Sequence, residues 1–141
     1  SAMRARFADP FVSGSGASAV TVPAGNRIPG TPERTLFAEL AWTPKNAWSG
    51  FNAAVEVVHR GQLFVNDAND DAAPAATVVN LRAALSQQVG NWHFSELLRV
   101  ENAGDRNYAG SVIVNDGNKR YFEPALPRHW LLGVTARYEF R

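Results

Sequence analysis

The sequence predicts an all-β fold, an antiparallel up-and-down meander of about six strands that forms part of a transmembrane β-barrel. Three observations support this fold class. Long segments alternate apolar and polar residues, long and short connections alternate along the chain, and aromatic residues stand at both margins of the apolar faces.

The clearest strand covers residues 130–140. Every second residue from Trp130 to Phe140 is apolar, whereas the residues between them include Thr135, Arg137 and Glu139. Because alternate side chains of a strand point to opposite faces, one face of this strand is apolar over its whole length. The segment exceeds the roughly 5–6 residues typical of strands in globular proteins and matches the ~9–11 needed to cross a bilayer at a tilt.

Five other segments complete the predicted meander. Four of them repeat the alternation, at residues 35–42, 51–60, 77–87 and 92–102, and a shorter one lies at residues 4–7. Residues 80–88 contain good helix formers, but the β-branched residues just before them favour a strand. Glu96 places a charge on the otherwise apolar face of its strand, which is unfavourable against lipid.

The connections alternate in length. Residues 9–34, 66–76 and 103–129 form long connections, and residues 43–50 and 88–91 form short ones. Alternate connections of a meander leave the sheet at the same end, so one end carries tight turns and the other carries large loops, as in outer-membrane barrels. In the last loop, Asp116 and Gly117 predict the tip of a small ribbon with positive φ, in which residues 111–115 pair with residues 120–123.

Aromatic residues mark both ends of the predicted strands. Those near the short turns are Trp42, Trp48, Trp92, Tyr138 and Phe140, and Trp130 lies at the long-loop end. Amphipathic rings prefer the headgroup region of a membrane, so this placement predicts that the apolar face contacts lipid. The alternative is a soluble β-barrel or sandwich that turns the same face inward.

The composition excludes several classes of function and site. The net charge of +1 leaves no basic surface for nucleic acid, and the absence of cysteine excludes disulfides and thiolate metal sites. His59, His93 and His129 lie on separate elements, and no catalytic constellation is present, so we expect neither an enzyme, nor a metal site, nor a cofactor. Ser1 to Met3 look like a protease-site remnant, so we expect residues 4–141 to be a piece of a longer protein.

Two stretches resemble a known family. "GNRIPGTPERTLFAELAW" (residues 25–42) and residues 99–140 resemble late strands and the last loop of TonB-dependent outer-membrane receptors of the siderophore type. The matching family positions are Asn102, Asp105, Tyr108, Phe122, Pro124, Arg128 and Trp130. The chain departs from the family at Ala103 and Gly104, where apolar residues are usual.

The resemblance implies a function and a location. Such receptors have barrels of roughly 22 strands closed by a plug, and they import scarce nutrients such as ferric siderophores across the bacterial outer membrane. This chain would supply the C-terminal strands, residues 4–141, and could not transport alone. Its partners would be the rest of the barrel and the plug, the lipid bilayer and the barrel-assembly machinery, with TonB reached only through the absent plug.

The resemblance also assigns roles to residues. Gly133, Tyr138 and Phe140 match the terminal signal that the assembly machinery recognises, although Arg141 follows where the aromatic residue is usually last. Extracellular loops contact the ligand in this family, so the loop residues Asp67, Asn69 and Tyr121 are candidate ligand contacts; the alternative is that they are ordinary loop residues.

Two expectations concern the chain alone. It has too few strands to close around its charged residues, so we expect it to self-associate through strand edges or its apolar face. If the soluble alternative holds instead, the chain would be a monomeric module that binds a small ligand.

Overall fold

The computed structural model describes residues 1–45 and 50–140 of the chain. Trp48, assigned above to an aromatic margin, and Arg141 lie outside the described residues. Eleven strands and one 3₁₀ turn, at Gly16–Ser18, form within the described part, which confirms the all-β class. No helix in that part is long and apolar enough to span a membrane.

Five long strands form the main sheet. The strands are β1 (Phe11–Ser13), β2 (Val20–Val22), β3 (Thr35–Trp42), β4 (Phe51–Arg60), β5 (Leu63–Phe64), β6 (Ala72–Ala73), β7 (Ala76–Val89), β8 (Trp92–Glu101), β9 (Ala109–Val112), β10 (Phe122–Pro124) and β11 (His129–Tyr138). The sheet order is β11-β8-β7-β4-β3. Each long strand therefore pairs with the long strand that precedes or follows it in the chain. The meander therefore forms as predicted, whereas the predicted count of about six strands is wrong.

The sixth predicted strand is absent. Among the first residues only isolated bridges form, Ala2 with Arg34 and Arg6 with Arg27. The described strands do not close into a barrel, because β3 and β11 remain the two edges of the sheet. Five strands are too few to enclose a packed interior, for which about eight are needed.

The long connections contain structure of their own. β1 pairs with β2, β5 with β6, and β9 with β10, each as an antiparallel two-stranded hairpin. The chain divides into two compact units, one of which, the hairpin unit, comprises Ser1–Leu36, His59–Thr77 and Asn107–Ala125. The other, the sheet unit, comprises Phe37–Val58, Val78–Arg106 and Leu126–Arg141.

The strand register confirms the predicted faces. Leu132 lies opposite Leu98, which in turn lies opposite Ala83, so the apolar residues of β11, β8 and β7 share one face. A two-residue turn joins β7 to β8, and Gly90 adopts a φ of +60° there. Positive φ at the first turn position suits glycine and brings the strands into tight antiparallel pairing.

The apolar face of the sheet is open to its surroundings. We define it by exposed residues from all five strands: Leu40, Trp42, Val55, Leu81, Leu98, Trp130, Leu132 and Val134. Leu40 is 76% exposed, Leu132 73% and Trp130 66%. On the opposite face Glu56 is only 7% exposed. In the sheet unit, many large apolar side chains are therefore exposed while the carboxylate of Glu56 is buried.

The hairpin unit has a small apolar core. Leu63, Val65, Ala73 and Tyr121 are buried together, with Ala109 and Val112 packed against them. The predicted ribbon forms, but its paired segments are β9 and β10. Its turn has positive φ at Asn115 and Lys119 instead of Gly117, because asparagine and the residues closing such turns also adopt the left-handed region.

Candidate functional site

The charged face of the sheet unit is organised around Glu56. Its Oε2 accepts hydrogen bonds from Arg99 Nη2 at 3.0 Å and Asn80 Nδ2 at 3.4 Å, and its Oε1 lies 3.8 Å from Arg82 Nε. Arg82 and Arg99 lie directly opposite each other in the β7–β8 register. Like charges in that position repel, so the buried carboxylate compensates for both guanidinium groups.

The same contacts continue to both edges of the sheet. Arg82 Nη2 donates to Glu39 Oε2 on β3 at 3.3 Å. On the other side Arg99 Nε lies 2.9 Å from Glu101 Oε1, and Glu101 Oε2 lies 3.0 Å from His129 Nε2 on β11. This charge network includes residues from all five strands and places carboxylates beside the guanidinium groups of Arg82 and Arg99.

One polar pair interrupts the apolar face. Glu96 lies opposite Leu85 on one side and Val134 on the other, which places it on the apolar face as the alternation predicts. Gln87 Nε2 lies 3.2 and 3.4 Å from its two carboxylate oxygens. The amide satisfies part of the hydrogen-bonding capacity of a carboxylate that has apolar neighbours.

A cleft of about 340 Å³ lies within the hairpin unit. Three segments line it: the β1–β2 hairpin, the loop between β5 and β6, and the turn between β9 and β10. Its lining residues are Ser13, Gly14, Val20, Val22, Asn66, Asp67, Ala68, Asp70, Asn115, Asp116, Gly117, Lys119 and Tyr121. Two of the three predicted ligand contacts, Asp67 and Tyr121, therefore lie in one cleft, although they are distant in sequence.

Asp67 joins the three segments. Its Oδ2 accepts hydrogen bonds from Ser13 Oγ and from Asn115 Nδ2, both at 2.9 Å. Its backbone N–H donates to Asn115 Oδ1 at 3.0 Å, so Asp67 and Asn115 form a reciprocal pair. Both side-chain bonds go to a single carboxylate oxygen, and no other described residue bonds to Oδ1.

The side chain of Asn69 binds backbone groups of the loops. Its Nδ2 donates to Arg27 O at 2.9 Å and Asn66 O at 3.1 Å, and its Oδ1 accepts from Arg27 N at 2.7 Å. Asn69 does not line the cleft, and its φ of +60° is one that asparagine tolerates well. Its amide thus holds the loop in shape, and the predicted ligand contact is not part of this arrangement.

Tyr121 connects the cleft to the small core. It is 6% exposed and packs with Leu63, Val65 and Ala73, yet it also lines the cleft. Its ring contacts Phe122 edge-to-face at 6.2 Å. The core therefore fixes the position of a phenol at the wall of the cleft, with little freedom to move.

The family-motif positions fall into two groups. In the sheet unit, Asn102 Nδ2 donates to Arg106 O at 2.9 Å, and Asp105 Oδ1 accepts from Arg128 N at 2.9 Å. The first bond closes the turn after β8, and the second joins that turn to the segment entering β11. In the hairpin unit, Tyr108 and Pro124 lie beside a shallow groove, and Tyr108 O accepts from Ala125 N at 3.0 Å. All these contacts are local hydrogen bonds that stabilise the conformation of the last loop.

The residues of the predicted assembly signal lie in β11, at Gly133 and Tyr138, and just after it, at Phe140. Gly133 is opposite Leu97, and a Cβ at this glycine would meet Leu97 Cβ at an ordinary 3.8 Å. The Tyr138 ring contacts Trp92 at 5.1 Å and Phe140 at 4.9 Å. β11 ends at Tyr138, so the prediction that the strand includes Phe140 is wrong, because the pairing with β8 ends at Trp92.

The three histidines remain apart. His59 contacts Thr77, His93 contacts Glu139, and His129 contacts Glu101. Within the described part of the chain, no three histidine or acidic side chains come close enough together to hold a metal ion.

Two arrangements were not foreseen from the sequence. From the sequence, the charge network could be predicted only as a face with charges of both signs. The contact between Glu56 and Arg99 depends on strand register, which the residues around each of them do not determine. The cleft contacts of Asn115 and Ser13 were also missed. The available signal was that Asn and Asp cluster in both loops, which is typical of side chains that bind loop backbone.

Comparison with known proteins identifies a structural neighbour. No protein-family model matches the chain. Its structure is similar to that of BauA, the ferric preacinetobactin receptor from Acinetobacter baumannii, with a TM-score of 0.69 and 16% sequence identity. The match covers 83% of this chain and 16% of the receptor chain, so this chain spans a small part of the receptor's length. The likeness shows a fold that the two chains share over that part.

Proposed function

We propose that the chain is the C-terminal barrel segment of a TonB-dependent receptor that imports a ferric siderophore across the bacterial outer membrane. In this role the apolar face contacts lipid and the charge network faces the barrel interior. The loop cleft of the hairpin unit faces the cell exterior, where it contacts the ligand. The segment acts together with the rest of the barrel and the plug, and it does not transport alone.

The observation that carries the proposal is the reversed polarity of the sheet. Apolar residues of the sheet are exposed by up to 76%, whereas Glu56 is buried among arginines on the opposite face. Barrel strands in an outer membrane alternate in this way, with apolar residues toward lipid and polar residues toward the interior. The receptor fold of the structural neighbour also supports the proposal.

The soluble alternative requires a cover for the same face. A monomeric binding module would have to bury Leu40, Trp130 and Leu132 against other residues, because contiguous apolar patches of that size are rare on soluble monomers. The described residues leave all three exposed. Lipid supplies the missing contact without a further layer of protein.

Cysteine labelling on intact cells tests the proposal. The 141 residues contain no cysteine, so single cysteines can be placed at Gly117 and at Lys45 in a full-length protein from which any other cysteine has been removed. A Cβ at Gly117 meets no atom within 4 Å, so the substitution fits. A membrane-impermeant maleimide should label Gly117→Cys on intact cells and label Lys45→Cys only after lysis. The reverse pattern, or labelling of neither before lysis, would contradict the proposed orientation.

A further inference from the structure

We infer that the free edge of β3 is the docking site for the segment immediately upstream of Arg4 in the full-length protein, which pairs with β3 as an antiparallel strand in a fixed register. The inference rests on the proposed receptor function and names the partner of this sheet edge. It follows from a ladder of backbone hydrogen bonds that reaches β3, from the direction of the unpaired backbone groups of β3, and from the direction of the chain along that edge.

The first residues of the chain already pair with the segment that leads into β3. Ser1 N donates to Thr35 O at 2.7 Å, and Thr35 N donates to Ser1 O at 3.0 Å. Ala2 lies opposite Arg34 in an antiparallel bridge. Because these bonds join backbone groups, other residues at positions 1–3 can form them equally. The ladder therefore reaches Thr35, the first residue of β3.

The backbone bonds at the start of β3 distinguish its two sides. Arg34 O accepts a bond from Gly61 N at 2.8 Å, and Gly61 directly follows β4. Thr35, the next residue, bonds instead to Ser1. Arg34 and Thr35 thus bond on opposite sides of the strand, one toward the β4 side and the other toward the free edge.

Three residues further along β3 direct their backbone groups to the free edge. Successive residues of a strand bond to alternate sides, so Phe37, Glu39 and Ala41 face the same side as Thr35. Among the strands that the structure describes, β3 is paired with β4 alone. An unpaired strand edge is a template for another strand, and hydrocarbon does not tolerate its unsatisfied N–H and C=O groups.

The upstream segment is the strand that the protein itself supplies to this edge. Positions 1–3 run antiparallel to the entry into β3, so the residues before them continue along the same edge from Thr35 toward Trp42 without an intervening loop. A strand from a second copy would have no such connection, and it would lose translational and rotational freedom on binding. The covalent connection therefore favours the upstream segment.

The bridge between Ala2 and Arg34 sets the register. Ala38 lies four residues beyond Arg34, so its partner lies four residues upstream of Ala2, which is six positions upstream of Arg4. By the same count, the partner of Leu40 lies eight positions upstream of Arg4. Opposite residues share a face of the sheet, so both partners lie on the apolar face with Leu40.

Disulfide cross-linking tests this register in the full-length protein, from which any other cysteine has been removed. Ala38→Cys is combined with a cysteine six positions upstream of Arg4. The two residues form a non-hydrogen-bonded pair, in which the Cα atoms are about 4.5 Å apart and a disulfide can form. After oxidation of outer membranes with copper phenanthroline, mass spectrometry should identify this disulfide within one chain. Leu40→Cys with a cysteine eight positions upstream of Arg4 should give the same result.

The matched control keeps Ala38→Cys and moves the upstream cysteine by one residue, to five positions upstream of Arg4. Adjacent residues of a strand point to opposite faces, so the control should form at least about fivefold less disulfide within one chain. Heat-dependent migration on gels establishes that each variant is a folded barrel, and the Leu40 pair is decisive if the Ala38 pair does not fold.

Equal cross-linking in the control and the matched pair, or no disulfide within one chain from a folded matched pair, would overturn the inference. A disulfide between two chains would also overturn it, because a second copy would then occupy the edge. Each of these results leaves the proposed receptor function standing if Gly117→Cys is still labelled on intact cells. Failure of that labelling, by contrast, would remove the receptor function itself.

Discussion

Replacing Glu56 with alanine is expected to lower the free energy of unfolding of the sheet by about 2–4 kcal/mol. The substitution leaves Arg82 and Arg99 opposite each other with no carboxylate between them. Removing one partner from a buried ion pair is far more destabilising than removing the pair, because the remaining charge stays desolvated. Both arginine side chains are about one-third exposed, so water screens part of the repulsion.

Glu39→Ala is the matched control. Glu39 belongs to the same network and contacts Arg82, but its side chain is 34% exposed. Its loss should lower stability by no more than about 1 kcal/mol, as for other exposed ion pairs. Urea unfolding followed by tryptophan fluorescence compares the two variants in the same detergent. Equal changes in both would show that Glu56 is not the centre of the network.

Leu132→Lys should destabilise the chain in lipid by about 2–4 kcal/mol, the range for a lysine facing the middle of a bilayer. Leu132 lies within β11 on the apolar face and is 73% exposed. If that face were in water, the same substitution on an exposed side chain would change stability by only about 0.5 kcal/mol. The size of the effect therefore reports the medium that the face contacts.

Thr135→Lys provides the comparison for Leu132→Lys. Thr135 lies on the same strand but on the opposite, polar face, opposite Ser95. A lysine there joins a hydrated surface and should have little effect on unfolding in lipid vesicles. A loss of stability at Thr135 that equals or exceeds the loss at Leu132 would mean that the two faces have been assigned the wrong way round.

The strand faces could be predicted because their signal is local. Alternation from Trp130 to Tyr138 sets the face of each side chain, and no distant residue changes it. The β5–β6 hairpin could not be predicted, since Leu63–Phe64 and Ala72–Ala73 are too short for any period to appear. Burial against Tyr121, far along the chain, holds that segment in place.

The loop cleft was predictable only in part. Loop position indicated Asp67 and Tyr121, but the same reasoning could not distinguish them from Asn69, whose amide binds Arg27 within its own unit. Whether a loop amide faces a ligand or its own backbone depends on contacts between segments distant in sequence. The same limit applies to Glu56, whose partners Arg82 and Arg99 are set by strand register.

The claim that the apolar face lies against lipid is tested most directly by spin labels in lipid vesicles. The chain has no cysteine, so Leu132→Cys and Thr135→Cys each give one labelled position, on opposite faces of β11. Oxygen concentrates in hydrocarbon, whereas a neutral nickel chelate remains in water. The label at residue 132 should relax faster with oxygen and be protected from nickel, with the opposite preference at residue 135. A label at residue 132 that is accessible to nickel, or to neither reagent, would contradict the claim, because the face would then lie in water or in a protein core.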